Sequence, residues 1–265
     1  MNPFTYGKVV SGGSFFDRRT ETLRIVNTLR SGNNLVLYAP RRFGKTSLVF
    51  RVMERLAKEN FVCIYFDFMP VYSPESFVRL FTKAVAEKQS GGAKFLQRFS
   101  AMLKNIRPVL TVNDSGQQEF SIDFTAAALD ETTILNLLDL PETLAGKNKR
   151  VAVFFDEFQE VEKLRSINFE KLLRSKIQLQ SKTNYLFLGS KTHLLKEMFN
   201  NKKRAFYNSA QQMTLSALPE KDTIEYLQKK MAAHKISLAD AEARYLIASA
   251  GQVPHYVQML ASEVW

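Results

Sequence analysis

The chain has 265 residues, 45% of them hydrophobic and 24% charged, a balance that excludes wholesale disorder and suits one large α/β domain, alone or with a small appendage. A single cysteine, Cys63, excludes an internal disulfide and a cysteine-based zinc site, and His193, His234 and His255 have no metal-ligand spacing to one another. No apolar run is long enough for a membrane span and Met1 to Lys8 lacks a signal-peptide core, so a cytoplasmic protein without a membrane partner is expected.

The net charge is +11. Residues 161–210 hold eleven basic against three acidic side chains, a net +8, so most of the excess lies in a fifth of the chain. Two readings stand: a solvated face, or a surface for a polyanion such as DNA, a nucleotide phosphate or an acidic protein.

Asn34 to Ala39 is a short apolar run that ends at Pro40, and Leu48, Val49, Val52, Met53 and Leu56 then recur at helical spacing. Residues 61–69 are apolar nearly throughout, as expected of a strand covered on both faces, with Cys63, Tyr65 and Phe66 read as core. Pro74 and Glu75 open a helix that runs to about Lys88. Residues 151–155, 185–189 and 212–215 are three further strands. Strands alternating with helices give an α/β fold, a parallel sheet with helices on both faces. The alternation is broken at 108–124, where two short strands flank the turn 113–117 as an inserted β-hairpin, and a helix from Glu131 to Leu144 leads back to the sheet. After Pro219 the chain is helical, over 220–234, 238–249 and a third stretch beyond Gly251 and Pro254. Two units follow: an αβα nucleotide-binding domain over 1–218 and a helical lid over 219–265.

The stretch A-P-R-R-F-G-K-T, 39–46, lies between the first strand and the first of these helices and matches a phosphate loop except at its first position, where Ala39 replaces glycine. A negative φ at Ala39 makes that replacement harmless. The backbone from Pro40 to Ser47 would cradle the phosphates, with N–H groups from Arg41, Arg42, Phe43, Gly44, Lys45, Thr46 and Ser47 and with Gly44 permitting close approach. Lys45 would reach the β/γ oxygens and Thr46 would hold Mg2+. Downstream, V-A-V-F-F-D-E places Asp156 and Glu157 at the end of a buried strand, the edge where ligands bind. Asp156 would complete the Mg2+ shell and Glu157 would orient or deprotonate the attacking water; the other reading is a helix N-cap by Asp156. Ser190, at the end of the next strand, could contact the γ-phosphate or the water, or cap a helix, and Lys191 could be surface charge alone. Arg204 reads as part of a basic surface loop, with a transferred-phosphoryl contact as the alternative. The strand end D-E-F-Q is not a GTPase D-x-x-G, and no N-K-x-D motif appears.

Together these motifs resemble the AAA+ superfamily, and within it the archaeal-type, STAND-related and origin-recognition-like ATPases. The resemblance rests on F-F-D-R-R-T-E (15–21, with Asp17, Arg18 and Glu21), P-R-R-F-G-K-T-S-L (40–48), F-F-D-E-F-Q (154–159), G-S-K (189–191) and G-Q-V-P-H-Y (251–256), spread over nearly the whole chain. It implies a three-layer P-loop core of five parallel strands in the order 5-1-4-3-2, a three-helix lid, and a segment 2–10 closing over adenine, with Phe4, Val10 and Pro254 as pocket candidates. It implies an ATP hydrolase using Mg2+, with DNA or a protein as partner and homo-oligomers among the expected assemblies. Two departures point to slow hydrolysis and a switch: Ser209 stands where relatives often carry an arginine, with Arg204 five residues away, and the lid turn offers Gln252 and His255 in place of an arginine. Relatives commonly continue into a C-terminal effector domain, so the sequence reads either as a fragment or as a minimal ATPase whose effector is another chain.

Overall fold

The computed structural model describes residues 2–7, 18–88, 106–112, 118–124 and 130–265. Helix α1 (Arg19–Arg30) precedes β1 (Leu35–Tyr38), and α2 (Lys45–Ala57), β2 (Phe61–Asp67) and α3 (Pro74–Ala86) follow. The hairpin strands β3 (Ile106–Val112) and β4 (Gln118–Phe124) pair antiparallel, with Ile106 opposite Phe124. The expected turn 113–117 between them lies outside the described residues. Then come α4 (Glu131–Leu144), β5 (Arg150–Asp156), a 3-10 segment (Phe158–Ile167), α5 (Phe169–Ile177), β6 (Thr183–Gly189), α6 (Thr192–Asn200) and β7 (Gln211–Thr214). Three helices close the chain: α7 (Glu220–Ala232), α8 (Asp240–Ser249) and α9 (Pro254–Glu263). Among the described residues no helix is long and apolar enough to cross a membrane.

The main sheet runs β2-β5-β6-β1-β7, every pair parallel. Counted along the chain without the hairpin, that is 2-3-4-1-5, the expected order read from the other edge. Every residue of β1 and β6 is buried, as helices on both faces require, whereas β7, at one edge, buries only Met213.

The period-two alternation of strand side chains divides the core in two. Leu35 and Leu37 of β1, Phe154 of β5 and Leu186 and Leu188 of β6 face α1 and α2. Val36, Tyr38, Val153, Phe155, Tyr185 and Phe187 face the opposite way, toward α3 to α6. That second side is built of aromatics. Phe155, fully buried, has ring neighbours in Phe66, Phe68, Phe81, Phe158, Tyr185 and Phe187, at centroid distances of 5.2–6.1 Å. A third cluster joins α7, α8 and α9 around Leu227, Met231, Ile247 and Val257, and takes in Phe4 from the N-terminal segment. Cys63 is buried, and burial pushes its thiol up to about 12, which leaves it an unreactive core residue.

Local chemistry fixes the helix starts. Ser73 accepts the Ser76 N–H ahead of Pro74 at the start of α3, and Asp130 accepts the Thr133 N–H at 2.7 Å ahead of α4. Because the rings around Phe155 interlock, Phe155→Ala should cost about 3–5 kcal/mol. Urea denaturation followed by circular dichroism checks this, and a loss below about 1 kcal/mol would show that the aromatic face closes around the gap.

Candidate nucleotide-binding site

The parallel sheet brings the C-terminal ends of β1, β5 and β6 to one edge, and the sequence places a functional segment after each. After β1 the loop 39–44 turns into α2. Arg42 (φ 69°) and Gly44 (φ 79°) are both left-handed, on either side of Phe43. Alternating backbone conformations of this kind turn successive N–H groups toward one point. Ala39 is buried and is not among the positive-φ residues, so no glycine is needed there.

Lys45 opens α2 and is 8% exposed. Its Nζ lies 2.6 Å from Asp156 Oδ1 and 2.7 Å from Glu157 Oε1. Thr46 Oγ1 stands 3.5 Å from the other Asp156 oxygen, which also accepts the Tyr65 hydroxyl at 2.8 Å. Glu157 sits in a left-handed conformation (φ 48°, ψ 43°), so its side chain leaves the strand direction and turns into the site. Its Oε2 accepts from Gln159 Nε2 (2.7 Å), Ser190 Oγ (2.8 Å) and Ser190 N–H (3.1 Å). Burial pushes the Glu157 carboxyl up, but the hydrogen bonds from Lys45 and Gln159, the Lys45 charge and the Ser190 N–H outweigh it and hold the group at about 2.

The capping alternatives are not what forms. The N-cap of α6 is Lys191, with no side-chain cap, and Ser190 spends its hydroxyl on Glu157. Asp156 accepts the adjacent Glu157 N–H, but its oxygens also serve Lys45 and Tyr65. Tyr65, expected to be plain core, is only partly buried and binds Asp156; burial first, then the Asp156 charge, push its hydroxyl up, so it stays a donor. Lys191 pairs with Glu160 at 2.8 Å. Arg204 lies in the loop between α6 and β7, where it pairs with Glu162 (3.5 Å), Glu170 and Glu197 (3.7 Å).

A cavity of about 390 Å3 lies over the loop, within the range of small-molecule sites. Pro40 to Ser47 form its floor, Glu157 and Ser190 one wall, and Pro254, His255, Val257 and Gln258 of α9 another. Thr5, Tyr6, Gly7 and Arg18 also line it. Pro254 lines this cavity. Phe4 does not: it is buried in the α7–α9 core, 6.4 Å from the Tyr226 ring. Val10 and Asp17 lie outside the described residues. Arg18 is buried, paired with Glu21 at 2.8 Å and bonded to the Ser216 carbonyl at 2.6 Å. The loop touches α9 directly: the His255 N–H donates to the Arg42 carbonyl at 3.3 Å, and the Arg42 guanidinium stacks on the Tyr256 ring and bonds its hydroxyl.

Sequence reasoning missed Gln159, Tyr65 and the Arg42–Tyr256 contact. Gln159 stands among Asp156, Glu157, Glu160 and Glu162, and nothing in that polar run singles it out.

The fold is shared with solved ATPases. The Walker-type ATPase PABY2304 of Pyrococcus abyssi superposes with a TM-score of 0.68 at 17% identity, over 99% of this chain and 71% of that one. The Drosophila ORC bound to DNA gives 0.59 at 12% identity, over 94% and 61%. The Aeropyrum pernix ORC1 protein in complex with DNA gives 0.58 at 14% identity, over 94% and 60%, so this chain spans about three fifths of either ORC chain. No curated protein matches the sequence. A family model described as an ATPase domain predominantly from Archaea matches residues 15–187. That stretch holds the phosphate loop, both carboxylates and nearly all of β6, and the chain belongs to this family of archaeal-type ATPase domains.

Proposed function

We propose that the chain is a Mg-ATP-dependent AAA+ ATPase that turns over slowly and works as a nucleotide-dependent switch. One observation carries this: the Lys45 ammonium sits between Asp156 and Glu157, with Thr46 facing the same Asp156. The donor set suits Mg2+, which takes one or two protein oxygens and leaves the remaining positions to phosphate and water. Thr46 and Asp156 would hold the ion, whose contribution is to neutralise charge on the phosphates.

Lys45 is held by the two carboxylates. A triphosphate offers the ammonium a stronger anion, and its departure leaves Glu157 Oε1 without its partner and able to take a proton from water. Slow turnover is supported by Arg204, which its three glutamates immobilise, and by Gln252 and His255 in the turn before α9. Residues 1–218 would form the catalytic unit and 219–265 a lid whose position reports the nucleotide state to a partner or an effector domain.

DNA is the second reading. Two of the similar structures are on DNA, and in the basic stretch Lys171, Lys182, Lys196, Lys202 and Lys203 form no ion pair among the described residues. Five others, Lys163, Arg165, Lys176, Lys191 and Arg204, are paired to carboxylates, which weakens the case. A mobility shift that vanishes as salt rises would support it, and no shift at low salt would remove it.

Glu157→Gln should bind ATP like wild type and lose about 10²–10⁴-fold in turnover, the usual share of a general base. Lys45→Ala should lose binding itself. Turnover measured against protein concentration separates a single-chain site, with a constant rate per protomer, from one completed between copies. Wild-type turnover in Glu157→Gln would sink the hydrolase reading.

The resting ion pair also predicts a pH dependence. Glu157 titrates at about 2 when folded against 4.5 in a free side chain, so its contribution to stability is present above 4.5 and lost as pH falls toward 2. Lys45→Met removes the main charge that lowers it. The stability gap between wild type and Lys45→Met should therefore be widest near neutral pH and narrow below pH 4.5, as read by urea denaturation at pH 7 and pH 3. A gap unchanged between the two would contradict the pairing.

A further inference from the structure

The Gln159 side chain is 2% exposed, in the 3-10 segment after the acidic strand end. Its amide orientation is fixed by its neighbours. Nε2 faces two carboxylates, Glu157 Oε2 at 2.7 Å and Glu160 Oε1 at 3.4 Å, and only the nitrogen can donate to them. Oε1 then points the other way, buried and without a partner, against the backbone at Gly189. The fit there is close enough that a Cβ on Gly189 would lie 2.1 Å from Gln159 Oε1. An unpaired buried carbonyl costs about 1–3 kcal/mol. Gly189 is the last residue of β6, and Ser190, the other donor to Glu157 Oε2, follows it directly.

We infer that Gln159 is the positioning residue for Glu157, locked in place by the missing side chain at Gly189. The inference rests on the hydrolase reading above. The two carboxylate oxygens of Glu157 divide the work: Oε1 faces Lys45, while Oε2 is tied by Gln159 and Ser190. When Lys45 turns to a phosphate, Oε2 stays anchored and Oε1 keeps its aim at the place the ammonium left. Without Gln159 the carboxylate, itself on a left-handed backbone, keeps only the Ser190 donors and can rotate. A displacement on the order of 1 Å in a reacting group costs about a hundredfold in rate.

Three variants test this. Gln159→Ala should lower kcat about ten- to a hundredfold while the Kd for ATP stays within about twofold, because Gln159 does not line the cavity. Gly189→Ala should show the same split, since its methyl displaces the amide; Leu195, 3.3 Å from the same point, must also give slightly. The double variant should be no slower than Gln159→Ala alone, because removing the amide removes both the anchor and the collision. A purely structural role would instead give multiplying losses and a matching rise in Kd. If Gly189→Ala does not fold, Gln159→Ala carries the test, and folding restored in the double variant would itself support the lock. A crystal structure of Gln159→Ala with a non-hydrolysable ATP analogue reads the positioning independently of turnover, with the Glu157 carboxylate expected to rotate about the Ser190 donors that it keeps. A wild-type chain without Glu157-dependent hydrolysis would sink the hydrolase reading alone. A kcat within about twofold of wild type in Gln159→Ala, or a Glu157 carboxylate unmoved in its crystal structure, would overturn the inference.

Discussion

A buried ammonium between a buried carboxylate and a half-buried one is the constraint on which the rest of the site depends. Lys45 is 8% exposed and Asp156 4% exposed, and neither charge is tolerable there without the other. Such a group of charges stabilises little, because desolvation takes back much of the Coulombic gain, but removing one member leaves the remainder uncompensated. The charges of Lys45, Asp156 and Glu157 thus satisfy one another. On the proposed reading, a polyanion that draws the ammonium away leaves the Glu157 carboxylate free to act as the base.

The sheet makes this cluster possible by register. Asp67 of β2 pairs with Asp156 of β5 at the same edge where β1 runs into the loop and β6 into Ser190. Burial pushes the Asp67 carboxyl up, and the charges of Asp156 and Glu157 add to that despite the Met69 N–H it accepts. Strand interiors of Val, Leu and Phe cannot accept these groups, so they gather at the ends. The aromatic layer around Phe155 and Phe158 then anchors the segment that carries Glu157 and Gln159, and the stiffness of that layer sets how precisely the carboxylate is aimed.

Most of the architecture was legible because it is local. The apolar run before A-P-R-R-F-G-K-T, the apolar run before Asp156–Glu157 and the helical spacing after Pro219 each carry their own signal, and the order of strands followed from the family those motifs resemble. Contacts that depend on which residues meet across the fold were not legible. Tyr65 alternates with core residues along β2, and nothing in that pattern says that its hydroxyl ends on Asp156. Arg204 lies in a run of basic residues, and its three glutamates come from the 3-10 segment, α5 and α6, which only the folded chain gathers. Phe4 was a pocket candidate only because the resemblance implies an N-terminal segment over adenine, whereas Tyr6 lines the cavity and Phe4 lies in the core. The burial of Gln159 is the same kind of fact, invisible until Gly189 is beside it.

The C-terminal helices are held unequally on their two sides, and the magnitudes say which contact yields. Toward the N-terminal segment they share a buried core with Phe4, and Asn2 donates at 2.9 Å to both the carbonyl and the hydroxyl of Ser262. Burying a phenylalanine contributes about 1.5–3 kcal/mol before those hydrogen bonds are added. Toward the phosphate loop the described contacts are the His255 N–H on the Arg42 carbonyl and an exposed Arg42 guanidinium that stacks on Tyr256 and bonds its hydroxyl, where water competes for the charged group. An exposed cation–π contact is worth about 0.5–1 kcal/mol, and one neutral hydrogen bond about as much. Residues 2–6 therefore belong mechanically with α7–α9, and the seam against the loop is the weak one. A ligand whose affinity for two arrangements of that seam differs by a few kcal/mol is enough to change which is populated. Because Arg42 lies within the phosphate loop, any backbone adjustment that brings N–H groups onto a phosphate also moves the carbonyl that His255 holds.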